Sequence, residues 1–371
     1  MAIKIAVVNE SKNNETRVAV VPEIAQKLSS NNVTFSIEKN SGAASGFLDA
    51  DYPENACSFF DVASEALKDA DVLFKVNPPT SEEIGYMKKG ALAVSYMSPF
   101  QSGELIKNMA SSGIDAFSVE LIPRISRAQS MDALSSQASI AGYKAVILAA
   151  NNANKFFPML TTAAGTVRPA QTLIVGAGVA GLQAIATAKR LGSRVIAFDV
   201  RSSTKEQIES LGAQFLDTGI TAEGEGGYAR ELSAEELKTQ KEALSKAMGQ
   251  SDIVITTAAV PGKPAPKLID RNTVESMAPG SVIVDLGAIS GGNCELTKPD
   301  DIVDHGGVII LGPTNLPSTM PQHASELYSR NLLNFISPAI TDEGLNIDWD
   351  DEIFNGANIT RNGDIVFNEE A

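Results

Sequence analysis

Histidine, cysteine and tryptophan are scarce in this 371-residue chain, which has two of the first, two of the second and one of the third. His305 and His323 sit in no HExxH or cysteine-rich context, so the sequence offers no metal centre. Cys57 and Cys294 are far apart and outside any CxxC, which suits a reducing compartment and argues against a structural disulfide. Basic residues are also in deficit: 30 Lys plus Arg against 45 Asp plus Glu leave a formal charge of −15. No basic run interrupts that excess, so the footprint that a phosphate backbone requires is missing and nucleic acid is excluded as a partner. Long apolar runs are absent too. A bilayer span needs ~18 such residues, and the nearest approach, Ala138–Ala150, contains Tyr143 and Lys144. The opening IKIAVV runs into a polar loop with no small-residue cleavage site, unlike a signal peptide. Neither GxSxG nor GxxxxGK[ST] occurs, which removes the usual support for serine-hydrolase and P-loop chemistry.

What is present is a chain 43% hydrophobic, with 29 glycines. At ~100 to 200 residues per domain, its length predicts two domains. Short apolar runs alternate with helical stretches. In the first third, strands are expected at Ile3–Val8, Val33–Glu38, Val72–Val76, Leu92–Met97 and Ala116–Val119, with an amphipathic helix at Pro22–Leu28. A second series, at Thr172–Val175, Arg194–Asp199, Gln214–Leu216, Ile253–Thr256, Val282–Asp285 and Val308–Leu311, supplies the six strands of a doubly wound sheet. Leu134–Asn151, preceded by Asp132 as a candidate cap, reads as a helix long enough to link domains. Pro321–Phe335 reads as another, able to return the chain to the first domain. The tail from Thr341 carries Ile347, Trp349, Ile353 and Phe354 and is expected to pack there as a hairpin or loop. The predicted fold is α/β: two Rossmann-like doubly wound parallel-sheet domains joined by long helices, with a nucleotide cleft between them. The first is 1–134 plus 320–371, the second 135–319.

One segment carries specific chemistry. Thr172–Val175 is a strand, Gly176-Ala177-Gly178-Val179-Ala180-Gly181 a glycine turn, and the stretch after it an amphipathic helix. Gly176 permits the tight turn, Gly178 lets a pyrophosphate approach the backbone, and Gly181 lets the helix lie close to the strand. The helix N-terminus then faces the phosphates with unpaired N–H groups. The next strand ends in Asp199, 23 residues after Gly176, where a carboxylate accepts hydrogen bonds from an adenosine ribose and repels a 2′-phosphate. NAD(H) is therefore expected over NADP(H), although Arg194 and Arg201 stand close by in sequence. Thr257, Ala258 and Ala259 after one strand, and Leu286 after another, are small or apolar strand-end residues where a dinucleotide lies across a sheet. Gly219–Leu232 is glycine-rich with one aromatic, Tyr228, a composition suited to a lid.

Over nearly its whole length the chain resembles the NAD(H)-binding component, domain I of the alpha subunit, of proton-translocating NAD(P) transhydrogenases, which is itself similar to alanine dehydrogenase. The matching stretches are Glu15-Thr-Arg-Val-Ala-Val, Pro123-Arg-Ile-Ser-Arg-Ala-Gln-Ser-Met-Asp-Ala-Leu-Ser-Ser-Gln, the glycine turn, Asp199-Val200-Arg201, the glycine-rich loop with Tyr228, and Thr257-Ala-Ala-Val-Pro-Gly-Lys-Pro-Ala-Pro. The resemblance implies direct, Re/Si-specific hydride transfer between NAD(H) held here and NADP(H) held by a partner domain or beta subunit. It further implies coupling to a membrane-spanning proton-channel subunit, a homodimer, and a cytoplasmic place on the inner membrane through those partners. Because the chain stops at Ala371 without hydrophobic helices, it looks like a separately encoded subunit, catalytic only with its partner. The family's RQD loop falls on Arg124, Gln129, Asp132 and Ser135. These residues would orient the dihydronicotinamide carboxamide and ribose, with Gln129 reaching toward the NADP side. Such a reaction needs positioning and no general acid.

Two other classes remain. An alanine-dehydrogenase-like enzyme gains from Arg17 and Lys75, which resemble that family's substrate contacts. It loses where those enzymes carry a proton-transferring histidine, because this chain reads Ser95-Tyr-Met-Ser-Pro. A non-catalytic NAD-binding protein is the third class, and it leaves the RQD-like residues without a purpose. For Asp132 and Ser135 the structural alternative is capping of the linker helix, and for Arg124 an ion pair.

Overall fold

A computed structural model describes residues 2–11, 15–220, 232–259 and 262–367. The chain divides into two compact units, Met1–Gln137 with Pro317–Ala371, and Ala138–Leu316. Both are α/β with Rossmann-like sheets. In the first unit, β1 (Ile3–Val7), β2 (Val33–Glu38), β3 (Cys57–Phe60), β4 (Val72–Phe74), β5 (Leu92–Ser95) and β6 (Asp115–Ser118) are parallel, in the order β3-β2-β1-β4-β5-β6. Its inner strands are buried along most of their length, β4 as the wholly apolar run Val72–Phe74, because helices cover both faces of such a sheet. β3 was not among the expected strands. Its CSFF sequence is a half-exposed edge of four residues, too short for period-2 alternation to show.

The helix Ala133–Asn152 carries the chain into the second unit, beginning right after Asp132. There a small exposed hairpin, β7 (Leu160–Thr162) and β8 (Gly165–Val167), precedes the main sheet. That sheet comprises β9 (Gln171–Val175), β10 (Arg194–Phe198), β11 (Gln214–Phe215), β12 (Ile253–Thr256), β13 (Val282–Asp285), β14 (Ile302–His305) and β15 (Val308–Leu311), in the order β11-β10-β9-β12-β13-β15-β14. Six were expected and a seventh is present: β14 is antiparallel to β15, with His305 opposite Val308. The intervening Gly306 and Gly307 both have positive φ, 62° and 83°, as a two-residue hairpin turn demands. That Gly-Gly pair between apolar residues is the sequence signal for the extra strand.

Returning to the first unit, the chain forms the helix Pro321–Ile336, a short hairpin of β16 (Ile340–Thr341) and β17 (Gly344–Leu345), the helix Glu352–Ala357, and β18 (Asn358–Arg361) with β19 (Asp364–Ile365). β18 joins the sheet antiparallel to β6 and β19 completes the edge, so the tail packs on this unit and ends in a hairpin, but Ile353 and Phe354 lie on a helix where a hairpin or loop was expected. Aromatic rings hold it. Trp349 stacks on Phe117 at 5.7 Å, Phe354 meets Phe117 and Phe335 edge-on, and the Arg361 guanidinium lies 4.2 Å from the Trp349 centroid. Among the described residues no helix is long and apolar enough to cross a membrane.

Backbone contact without side chains sets how the linker helix meets the glycine turn. A Cβ placed on Gly142 would stand 2.1 Å from the carbonyl oxygen of Ala180, so the helix Ala133–Asn152 lies directly on the first turn of the helix Val179–Arg190. Gly142→Ala must push them apart. We expect a loss of ~1 to 3 kcal/mol in urea unfolding of the second unit, as for other overpacked cores. Unaltered stability would show that the helices can separate without cost.

Candidate dinucleotide site

The turn after β9 is shaped by three glycines with different surroundings. Gly176 has φ +102° and donates its N–H to the Phe198 carbonyl at 2.8 Å. A Cβ there would meet Thr257 Oγ1 at 2.4 Å, and one on Gly181 would meet the Gly176 carbonyl oxygen at 1.9 Å. Both positions are closed to any side chain. Around Gly178 nothing lies within 4 Å of a built Cβ. Gly178 is also the N-cap of the helix Val179–Arg190 and offers no side-chain cap, so the first-turn N–H groups of Val179, Ala180 and Gly181 open onto that space. Two glycines that close the turn and one that leaves a gap at a bare helix N-terminus fit a pyrophosphate.

Asp199, at the tip of β10, is 6% exposed and fully engaged. Its Oδ2 accepts the Ala177 N–H at 2.7 Å and Arg201 Nη2 at 2.9 Å, and its Oδ1 accepts the Arg201 backbone N–H at 2.9 Å and Nε at 2.8 Å. Burial opposes the charge, but the Arg201 guanidinium and the two backbone N–H groups outweigh it and hold the carboxyl below the usual aspartate range. The expectation of a carboxylate facing a ribose thus acquires a detail that spacing could not show. Asp199 braces the glycine turn, and a vicinal diol arriving there would share it with the Arg201 fork. Val200 is the half-buried residue between them.

The remaining strand tips lie along the same edge of the sheet, on the side where the order reverses between β9 and β12. Thr257 donates its N–H to the Val175 carbonyl at 2.8 Å, and its hydroxyl reaches the Val175 and Gly176 carbonyls at 3.3 and 3.2 Å, tying β12 to the glycine turn. Ala258 is half-buried and Ala259 exposed; Leu286, beyond β13, donates its N–H to the Thr256 carbonyl at 2.9 Å. Tyr228 lies outside the described residues.

In the first unit the RQD-like residues occupy a stretch of 3-10 helix, Ser126–Met131, and the start of the linker helix. Arg124 and Gln129 are exposed. Asp132 caps the helix, with Oδ1 accepting the Ser135 N–H at 2.8 Å and Oδ2 the Ser135 hydroxyl at 2.6 Å. The structure therefore brings Asp132 and Ser135 together through the cap. Asn331 and Asn334 both donate to the Ser130 carbonyl at 3.0 Å, and the Tyr96 hydroxyl donates to the Ala133 carbonyl at 2.9 Å. A bidentate Arg127–Asp351 pair, at 2.6 and 2.9 Å, fixes the outer side.

Arg17 and Lys75 are buried in the same unit, each already matched to a carboxylate. Arg17 forks onto Glu15, both bonds 2.8 Å, and its Nη1 donates to Gln137 Oε1 at 3.0 Å. Lys75 Nζ meets Glu83 at 2.9 and 2.7 Å. Burial pushes the Tyr96 phenol up, so the position nearest to a proton-transfer residue in the Ser95–Ser98 stretch stays protonated far above neutrality.

Residues 6–141 match the N-terminal domain of the alanine dehydrogenase/PNT family, and residues 145–368 match its C-terminal domain. The chain is 45% identical over 370 residues to a protein of Rickettsia prowazekii (strain Madrid E) named as the first portion of NAD(P) transhydrogenase subunit alpha, covering 98% of this chain and 96% of that one. To the protein of the same name from Rhodospirillum rubrum it is 44% identical over 375 residues, covering 98% of each. The crystal structure of transhydrogenase from Sinorhizobium meliloti superposes with a TM-score of 0.89 at 41% identity, over 98% of this chain and 100% of that one. Matched by both domains of one family and by full-length relatives at this identity, the chain belongs to the alanine dehydrogenase/PNT family.

Proposed function

We propose that this chain is the NAD(H)-binding component of a proton-translocating NAD(P) transhydrogenase. On this reading it works with an NADP(H)-binding domain or beta subunit and a membrane-spanning subunit, as a homodimer held at the inner membrane through them. The observation that carries the proposal is the open space at Gly178, set against a helix N-terminus and braced from beneath by Asp199. The names of the transhydrogenase relatives support it, as does their coverage of nearly the whole chain. When bound, NADH would supply a hydride to, and NAD+ would accept one from, a second nicotinamide.

The residues of the chain bind and orient. First-turn N–H groups at Val179–Gly181 take the pyrophosphate, and Asp199 takes the adenosine ribose diol in competition with Arg201. Thr257, Ala258, Ala259 and Leu286 leave room for the remainder of the dinucleotide along the strand tips. Arg124, Gln129, Asp132 and Ser135 act on the dihydronicotinamide. Asp132 does so from within a helix cap, which restricts its motion and leaves the exposed Gln129 as the residue able to reach outward. The alanine-dehydrogenase alternative has no such support, because Arg17 and Lys75 are each neutralised by a glutamate.

The purified chain is expected to bind NADH in preference to NADPH, since a 2′-phosphate beside the buried Asp199 carboxylate meets like charge. Equilibrium dialysis checks this, and equal affinities would overturn it. Alanine with NAD+ should leave the absorbance at background. Reduction of an NAD analogue by NADPH should appear only when the NADP(H)-binding partner is added. Alanine-dependent NADH formation would replace the transhydrogenase reading with the dehydrogenase one.

Gly178→Ala separates binding from folding. The added methyl group meets nothing, so stability should stay within ~0.5 kcal/mol of the parent, while NADH affinity drops ~10-fold or more as the pyrophosphate loses its close approach. Undiminished affinity, measured by NADH fluorescence, would remove the phosphate from this turn. For Gln129→Asn, NADH affinity should change little and hydride transfer in the reconstituted complex should fall ~10- to 100-fold, as when a reacting geometry loosens. A transfer rate equal to the parent's would return Gln129 to the surface.

A further inference from the structure

The loop beyond β13 is folded around a carboxylate with no part in the site described so far. Asp285 is fully buried and receives four hydrogen bonds. Thr256 Oγ1 (2.9 Å) and the Gly287 N–H (3.0 Å) reach Oδ1, while the Cys294 N–H (2.9 Å) and Thr297 Oγ1 (2.7 Å) reach Oδ2. Gly291 and Gly292, at φ +98° and +80°, turn the backbone around it, and a Cβ on Gly292 would stand 2.8 Å from Asp285 Oδ2. The result is a tight fold that directs Asn293 inward.

Asn293 is completely buried. Its Nδ2 donates to the Ala258 carbonyl at 2.8 Å and to the Pro266 carbonyl at 2.9 Å, and its own backbone carbonyl accepts the N–H groups of Leu268 and Ile269 at 2.8 and 3.0 Å. Two acceptors on one side identify that end of the amide as the nitrogen. Its Oδ1 has no partner among the described residues and lies 3.0 Å from where a Cβ on Gly287 would be. An unpaired buried acceptor is destabilising, so this amide is not there to improve the core. What it does is fasten the residues after β12 to those after β13.

In a sheet of this order the two halves of a dinucleotide lie on either side of the reversal. With the adenosine half at β10, the tips of β12 and β13 face the nicotinamide-ribose half. We propose that Asn293 is a positioning residue for the nicotinamide of that half: it sets the separation of Ala258 and Leu286–Gly287 and thereby the width of the opening that receives the nicotinamide ring. The proposal rests on the dinucleotide reading of the second unit.

Asn293→Asp preserves the shape of the side chain but removes the two amide N–H donors, so at most one of the Ala258 and Pro266 carbonyls keeps a hydrogen bond. The probes are NADH and ADP-ribose, which share the adenosine, the pyrophosphate and the second ribose and differ only in the nicotinamide ring. The expected result is NADH binding weakened at least about tenfold with ADP-ribose binding within about twofold of the parent. Asn293→Ala should show the same split if the aspartate variant does not fold. The unmodified protein provides an independent measurement, hydrogen exchange at the Leu268 and Ile269 amides, which NADH should slow and ADP-ribose should not. NADH bound as tightly as by the parent, or both ligands weakened alike in a folded variant, overturns the positioning role, as does exchange that responds equally to both. A parent chain that binds neither ligand would instead sink the dinucleotide reading itself, so the two failures are told apart.

Discussion

In the second unit, backbone touches backbone where the helix Val179–Arg190 meets the end of β9. The carbonyl of Gly176 and the Cα of Gly181 approach so closely that a built Cβ would overlap the oxygen at 1.9 Å. Everything else at that edge of the sheet depends on this contact. It holds the first turn of the helix against the strand tip, and with it the uncapped N–H groups that open onto the space at Gly178. On the other side, Gly142 repeats the arrangement against Ala180, so the first turn of the helix is clamped between the strand tip and the linker helix and cannot shift without opening one of the contacts. Asp199 completes the clamp from the neighbouring strand by accepting the Ala177 N–H.

The first unit places its charges differently. Arg17, Lys75, Glu10, Glu15 and Glu83 are mostly withdrawn from solvent, and the cations are balanced one for one by glutamates. Burial lifts the Glu10 carboxyl above the usual glutamate range against the pull of Lys75 and of two backbone N–H groups, from Val76 and Asn77. Such a network orders the strand tips around it. A cation that already has a buried carboxylate for a neighbour has little attraction left for an incoming substrate carboxylate. The same residue types could hold a small acid if the glutamates were elsewhere, so it is their pairing that decides what these two cations can attract.

Much of the architecture was legible because it rests on local pattern. Apolar runs buried on both faces marked the inner parallel strands, and glycine spacing with the adjoining helix marked the turn. Misses occurred where the pattern was short or depended on a neighbour. β3 is four residues at an edge, from the buried Cys57 to the exposed Ser58 and two half-buried phenylalanines, and β14 exists through pairing across Gly306–Gly307. At the candidate site, the glycines and Asp199 stood out by spacing. Asp285 and Asn293 did not, since a single Asp after a strand and an Asn after two glycines resemble ordinary loop punctuation until their partners are known.

By itself the sequence determined the class of fold and the strand-turn-helix around Gly176–Gly181, because alternation and glycine placement act over short range. Tertiary structure decided which groups meet. It gave Asp199 to Arg201 and Ala177, Asp132 to a helix cap, Arg17 and Lys75 to glutamates, and the tail to the edge beyond β6. The physical reason is that a hydrogen bond or ion pair depends on distance and orientation in space. For residues such as Ala258 and Asn293, 35 positions apart, those are set only once the sheet has brought the strand tips together.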